Sequence, residues 1–180
     1  MFIQTEATPN PNSLKFLPGK TVSNNGSFEV TKKEETDNEL VRNLLSVNGV
    51  TAVFLGADFL SINKKEEISW DDIKHIAISL INDFYSTGKE FVIANELFGV
   101  EKEKHSEIEK QIISILESKI RPAVAKDGGD IKFKEFKDGV VKVELQGSCS
   151  GCPSSTMTLK QGVQNLLCHY LPEVKEVVAI

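Results

Sequence analysis

The sequence contains few cysteines and no long apolar run. Only three of its 180 residues are cysteine, too few for the disulfide framework of a small secreted domain. No stretch approaches the roughly eighteen apolar residues of a membrane-spanning helix. The first residues lack the basic segment and apolar core of a secretion signal, and they are not arginine-rich like a transit segment. We therefore expect a cytoplasmic protein without membrane contact, the alternative being the processed form of an organellar protein.

The sequence also lacks the features of nucleic-acid binding and of common enzyme sites. Its net charge is −5, and it has no basic stripe with interleaved aromatic residues, which phosphate-backbone binding would need. It contains no GxxxxGK phosphate loop and no GxGxxG, HExxH or GxSxG sequence. We therefore expect neither a nucleic-acid-binding protein nor an enzyme.

The chemically distinctive stretch is residues 147–153, GSCSGCP, which holds two of the three cysteines. Cys149 and Cys152 lie among Gly and Ser between an alternating apolar run and a helical pattern, so we expect both sulfurs to be exposed on a strand-to-helix turn. Pro153 suits the first helical position, which leaves Cys152 at the cap. The free N–H groups and dipole of a helix N-terminus stabilise a thiolate and should lower the thiol pKa. The pattern favours a metal-binding or redox function.

Counting ligands indicates a site shared between two chains. An iron–sulfur cluster or a structural zinc normally takes four protein ligands, and one CxxC supplies two. Cys168 lies about 24 Å beyond Cys152 if the intervening helix is continuous, so we interpret it as core filling. His169 lies at the same far end, and no acidic residue occurs between Glu144 and Glu173. The simplest donor of the missing ligands is the same turn of a second copy, at a two-fold axis.

The apolar patterns predict an α+β protein built from two small α/β domains. In residues 1–100 the clearest element is a helix that begins with a capping box at Ser69 and stops before Gly88. Two short apolar runs, at 50–55 and 59–63, are expected to pair as a hairpin. This domain holds nine basic and fourteen acidic side chains, an excess that we interpret as a solvated face. The charged stretch at 101–105 is interpreted as a linker.

Residues 106–180 predict a second domain with the order helix, strand, strand, helix, strand. The first helix starts with a capping box at residue 106, and Pro122 bars a long continuation. The Asp-Gly pair at 138–139 lies between two alternating runs, which is a strong hairpin signal. A three-stranded sheet with both helices on one face would bury the apolar stripes and leave the CxxC turn at one end.

Several polar residues and glycines lie just upstream of the CxxC turn. Arg121, Asp127 and Asp130 could contact that turn or a partner, but we favour turn-forming and capping roles for them. Gly128 and Gly129 are interpreted as serving backbone geometry.

These residues resemble the NifU-like (Nfu-type) iron–sulfur carrier family across nearly the whole chain. The C-terminal part is similar to the NifU C-terminal domain through RP at 121–122, DGGD at 127–130, GSCSGCPSS at 147–155 and PEV at 172–174. The N-terminal part resembles the partner domain of the mitochondrial and alphaproteobacterial versions through TPNPNSLKF at 8–16.

The resemblance implies a carrier that holds a [4Fe–4S] cluster between the CxxC motifs of two subunits and transfers it to apo-proteins. Cys149 and Cys152 match the family's ligand positions, whereas Cys168 lies outside the motif. The family also implies upstream iron–sulfur assembly proteins as donors and cluster-dependent enzymes as clients. Ligand number leaves a [2Fe–2S] cluster open, since four cysteines bind either form.

Two other functions compete with this interpretation. Thiol–disulfide oxidoreductases of the thioredoxin type also place CxxC at a helix start, although a single short strand after the helix is too little for that fold. A structural zinc ion that bridges two chains satisfies the same ligand count.

Overall fold

The chain forms two compact units, residues 1–98 and 99–180. A computed structural model describes residues 2–24, 26–90, 92, 104–150 and 153–180, with the backbone alone at 153–155. The division into a domain 1–100, a linker 101–105 and a domain 106–180 stays a prediction. Of that linker, residues 101–103 lie outside the described part.

The described residues of the N-terminal unit form an antiparallel sheet of five strands with two α-helices and one short 3-10 helix, Lys33–Glu35. Its strands are β1 (Gln4–Ala7), β2 (Ser13–Leu17), β3 (Phe28–Val30), β4 (Val50–Leu55) and β5 (Leu60–Lys64), in the spatial order β1-β2-β5-β4-β3. Its α-helices are α1 (Glu39–Ser46) and α2 (Trp70–Ser86). β4 and β5 pair as the predicted hairpin. The Ser69 side chain caps α2 by accepting from the N–H of Asp71.

The C-terminal unit has the predicted order of elements. It consists of α3 (Glu107–Ile115), one turn of π-helix (Leu116–Ile120), α4 (Arg121–Lys126), β6 (Gly129–Lys137), β7 (Val140–Gly147), α5 (Pro153–Tyr170) and β8 (Glu176–Ala179). β6 and β7 are antiparallel, and β8 runs parallel to β7. Asp138 and Gly139 both have positive φ, 52° and 80°, as the tight turn of this hairpin requires.

One face of the C-terminal sheet carries the core of its unit. Val141 and Val143 of β7 are buried, whereas Lys142 between them is exposed. Their core cluster includes Ile112 of α3 and Val163 of α5. Both helices therefore pack on the same face, which confirms the predicted α+β fold.

Helical backbone continues for only four residues beyond Pro122 and ends at Lys126, in agreement with the expectation that Pro122 bars a long continuation. The π-helical turn, Leu116–Ile120, precedes Pro122 and leads directly into α4. Pro122 thereby lies in the first turn of a new helix, where its missing N–H needs no partner. The first predicted helix is consequently three joined segments that end at Lys126.

Candidate metal centre

The segment that leaves β7 is held against the turn between α4 and β6. Gly147 pairs with Gly129 at the end of the hairpin and has a φ of 67°. The Ser148 side chain donates to the carbonyl of Asp127, and its N–H donates to the carbonyl of Gly128 at 3.2 Å. These contacts fix the backbone immediately before Cys149.

A second set of hydrogen bonds ties Cys149 to its own segment and to α5. Both the N–H and the hydroxyl of Ser150 donate to the carbonyl of Gly147, at 3.2 and 2.9 Å. The Thr156 hydroxyl, one turn into α5, donates to the carbonyl of Cys149 at 3.1 Å. α5 begins at Pro153 as predicted. Cys152 lies outside the described residues, so Cys149 alone of the two candidate ligands is placed.

The expectation that Cys149 is exposed is wrong. Its side chain is 8% exposed and belongs to the C-terminal core cluster. Burial raises the pKa of the Cys149 thiol to about 11, because a thiolate loses hydration there. A hydrogen bond with Ser148 opposes this effect, and the negative charges of Asp127 and Asp130 add to it. The expected lowering of the thiol pKa by the helix N-terminus is therefore also wrong for Cys149.

Gly129 allows this burial, and its role was not predicted. A Cβ at position 129 would lie 2.6 Å from Sγ of Cys149 and 2.7 Å from the carbonyl oxygen of Gln146. Gly128 is different, since its φ of 83° is the backbone conformation that was expected there. The sequence did carry a signal for the role of Gly129. A turn of this kind needs only one glycine, so the second glycine of the Gly-Gly pair required another explanation.

Arg121 and Asp130 form a bidentate ion pair beside this turn. Nε and Nη2 of Arg121 lie 2.9 and 3.0 Å from the two carboxylate oxygens of Asp130, which is 4% exposed. The carboxylate also accepts from the N–H of Ile131 at 2.8 Å. The hydrogen bond to Asp130 raises the pKa of Arg121. The pair joins α4 to the start of β6 and so supports the turn that covers Cys149.

Cys168 is not part of this arrangement. It is half-buried and packs against the C-terminal core, as its interpretation as core filling predicts. Thr156, which contacts Cys149, lies twelve residues before Cys168 on one continuous helix, or about 18 Å along its axis. Within the described residues, no group of three or more His, Cys, Asp and Glu side chains is placed to hold a metal ion. None of the described helices is long and apolar enough to cross a membrane.

Both units match known protein families. Residues 3–88 match the family model described as "Scaffold protein Nfu/NifU N terminal". Residues 112–178 match the one described as "NifU-like domain". The solution NMR structure of a NifU-like protein from Saccharomyces cerevisiae is similar at 30% identity and a TM-score of 0.49, over 53% of this chain and 87% of that one.

Curated relatives match almost the whole chain. It is 42% identical over 184 residues to NifU-like protein 4, mitochondrial, of Arabidopsis thaliana, covering 98% of this chain and 65% of that protein. It is 43% identical over 180 residues to the NFU1 iron-sulfur cluster scaffold homolog, mitochondrial, of Homo sapiens, and this match covers 98% of this chain and 71% of that protein. The chain therefore spans about two thirds of the length of these relatives.

The names of these relatives contradict the expected cytoplasmic location. Both are named mitochondrial proteins. The expectation was based on the composition of the first few residues, and that composition does not determine the compartment of the protein.

Proposed function

Because this chain belongs to the NifU-like (Nfu-type) family of iron–sulfur cluster scaffold proteins, we propose that it carries an iron–sulfur cluster. The cargo is a [4Fe–4S] cluster held by Cys149 and Cys152 of two chains, and the protein transfers it to apo-proteins. The observation that carries the proposal is the incomplete ligand set. Among the described residues Cys149 belongs to no group of three or more His, Cys, Asp and Glu side chains that could hold a metal ion, and Cys168 lies on a distant part of α5. Four ligands are therefore best supplied by two chains.

The environment of Cys149 suits temporary binding. Its backbone is held by Ser148, Ser150 and Thr156, so the ligand position is preorganised. Its thiol is protonated at neutral pH, since its pKa is raised to about 11, and loading therefore releases a proton. When a client thiolate displaces Cys149 from the cluster, reprotonation of this thiol favours completion of the transfer.

The proposed partners are a second copy of the chain, iron–sulfur assembly proteins as donors and apo iron–sulfur proteins as clients. The proposed compartment is the mitochondrion, as in the names of the relatives. The proposed role is that of a carrier rather than an enzyme, consistent with the word scaffold in the name of the human relative.

Anaerobic loading tests the proposal. The chain is incubated with ferrous and ferric iron and sulfide, and iron, sulfide, zinc and molar mass are measured together. We expect one cluster per dimer, no bound zinc, and loss of both cluster and dimer in Cys149→Ser and in Cys152→Ser. The matched control is Cys168→Ser, which should keep both.

Other outcomes would identify the rival functions. A dimer that holds zinc in preference to iron would indicate the structural zinc bridge. A monomer that binds no iron and titrates as a reversible dithiol would indicate an oxidoreductase, a function that the raised pKa of Cys149 argues against. A loaded chain that remains monomeric without an added thiol would refute the shared site.

A further inference from the structure

The exposed face of α5 carries no Asp, Glu, Lys or Arg. The exposed residues of this helix between Thr156 and His169 are Met157, Thr158, Gln161, Gly162, Asn165 and His169. At about 100° per residue they fall within an arc of about 140° and form one continuous strip. We refer to these six residues as the α5 face.

Such a strip is unusual in this protein, in which 26% of residues are charged. The exposed residues of α2, the other long helix, include Asp71, Asp72 and Asp83. Between Glu144 and Glu173, by contrast, Lys160 is the only residue with a formal charge, and it is half-buried at the edge of the α5 face. A solvated helix surface normally mixes charges of both signs, so solvation alone does not account for the composition of the α5 face.

Gly162 adds an independent observation. It lies in the middle of α5, where glycine is about 0.8–1.0 kcal/mol less favourable than alanine. A Cβ at Gly162 would have no described atom within 4 Å outside its own helix turn. Packing within the described part of the chain therefore does not require glycine here. A small residue on a helix surface permits the close approach of another backbone.

Met157 lies on the same strip and is 73% exposed. An unbranched methionine adapts its shape to an opposing surface. It is placed one turn after Pro153, at the end of the helix that adjoins the CxxC turn. The apolar end of the α5 face is thus next to the candidate metal centre.

We propose that the α5 face packs against the same face of a second copy of this chain when the two chains share a cluster. The inference rests on the proposed function, because it identifies the protein surface that accompanies the shared site. A two-fold interface brings each residue near the axis close to its own copy, so a charged residue there would meet a like charge. A face without formal charge is compatible with that symmetry.

Continuity with the shared site also favours a second copy over a client. α5 starts directly after Cys152, so an axis that joins two CxxC turns also brings two α5 N-termini together. The proposal places that axis along α5, so that the two helices run side by side in the same direction and Gly162 allows their backbones to approach.

The experiment compares loaded dimers of the full chain. Gly162→Leu fills the open space on the α5 face, Asn165→Glu introduces a like charge there, and Ser79→Leu on the exposed side of α2 is the matched control. Each variant is loaded anaerobically with iron and sulfide. The dissociation constant of the loaded dimer is then measured by light scattering over a dilution series, and thermal unfolding of the unloaded chain reports folding.

We expect Gly162→Leu to unfold at the same temperature as the wild type or higher, since leucine is the better helix former. Its loaded dimer should dissociate at least about tenfold more readily, a change of about 1.4 kcal/mol. Asn165→Glu should weaken the dimer at low salt and recover as salt screens the repulsion. Ser79→Leu should behave as the wild type.

Three results separate failure of this inference from failure of the proposed function. Unchanged dimer dissociation in folded Gly162→Leu and Asn165→Glu would overturn the inference and leave the shared cluster intact. An unchanged dimer with slower transfer to an apo-protein would assign the α5 face to a client and overturn the second-copy interface. A wild-type chain that is loaded but monomeric would overturn the proposed function before any variant is tested.

Discussion

Gly129 and Gly147 shape the space around Cys149 although neither has a side chain. Gly147 supplies the left-handed backbone conformation, with a φ of 67°, that turns the chain out of β7. Gly129 leaves room for the sulfur and for the carbonyl of Gln146. Gly147 therefore acts through a backbone torsion angle, and Gly129 acts through the absence of a side chain. Both contribute to the position of the buried thiol.

Gly129→Ala is expected to destabilise the chain and to reduce cluster loading. Its Cβ would lie 2.7 Å from a backbone oxygen of Gln146 as well as 2.6 Å from Sγ, and backbone cannot move aside cheaply. Overpacking of this kind costs about 1–3 kcal/mol. Chemical denaturation and iron content measure the two effects. Stability and cluster loading equal to those of the wild type in Gly129→Ala would contradict the steric role of Gly129.

Tyr85 is expected to make stability depend on pH in the alkaline range. Its hydroxyl donates to the carbonyl of Thr21 at 3.0 Å, and burial raises the pKa of Tyr85 to about 12, against about 10 in the unfolded chain. The unfolded chain therefore loses this proton first, and the contribution of Tyr85 to stability, fully present below about pH 10, is lost as pH rises towards 12.

Denaturation of Tyr85→Phe at several pH values checks this expectation. At neutral pH the free energy of unfolding of the variant should be about 0.5–1.5 kcal/mol lower than that of the wild type, because the hydrogen bond to Thr21 is lost. Between pH 10 and 12 the difference in free energy of unfolding between the wild type and the variant should decrease, because the wild type loses the contribution of Tyr85 whereas phenylalanine does not ionise. A difference that stays constant across this range would contradict the raised pKa.

Helix ends and tight turns followed from the sequence because their signals are local. Ser106 and Glu109 cap α3 reciprocally, and Asp138-Gly139 forms the tight turn between β6 and β7. In each case two to four neighbouring residues determine the helix cap or the turn. The strands and helices of both units were predictable for that reason.

Features that depend on contacts between distant elements were not predictable in the same way. The Gly- and Ser-rich surroundings of Cys149 indicated exposure, but a residue twenty positions earlier, Gly129, decides its burial. Pro122 indicated that the helix could not continue far, but it gave no sign of the π-helical turn that precedes it. Cys149 could be predicted as a candidate ligand, whereas its environment could not.

Removing the cap of α3 is expected to have a small and local effect. In Ser106→Ala the N–H of Glu109 loses the hydroxyl that accepts from it at 3.4 Å. Loss of an N-cap costs about 1 kcal/mol, so the midpoint of denaturation should fall without a change in cluster loading. Ser118→Ala is the control, because that hydroxyl only donates back to the carbonyl of Ser114 within exposed helix. A loss of loading in Ser106→Ala would mean that the start of α3 acts on the metal centre.

At the scale of the whole molecule, each unit has its own core. The N-terminal core cluster consists of residues up to Val92, and the C-terminal cluster starts at Ile108. The charge also divides unevenly, since residues 1–100 carry the entire net charge of −5. The candidate metal centre and the acidic excess therefore belong to different units.

A fragment of residues 104–180 is expected to fold alone and to bind a cluster as the full chain does. It contains the C-terminal core and the capping box of α3. Circular dichroism on heating and iron content per chain measure the two properties. Transfer rates to several apo-proteins then test the missing unit, and a rate equal to that of the full chain for every client would exclude client selection by residues 1–100. A fragment without a cooperative unfolding transition would contradict the independence of the two cores.

The burial of Cys149 also affects how readily its sulfur is oxidised. Peroxides oxidise thiolates rather than thiols, first to sulfenic acid and then to irreversible forms. A covered side chain whose pKa is about 11 presents almost no thiolate to such oxidants at neutral pH. The packing that buries Cys149 therefore also protects its sulfur from oxidative damage.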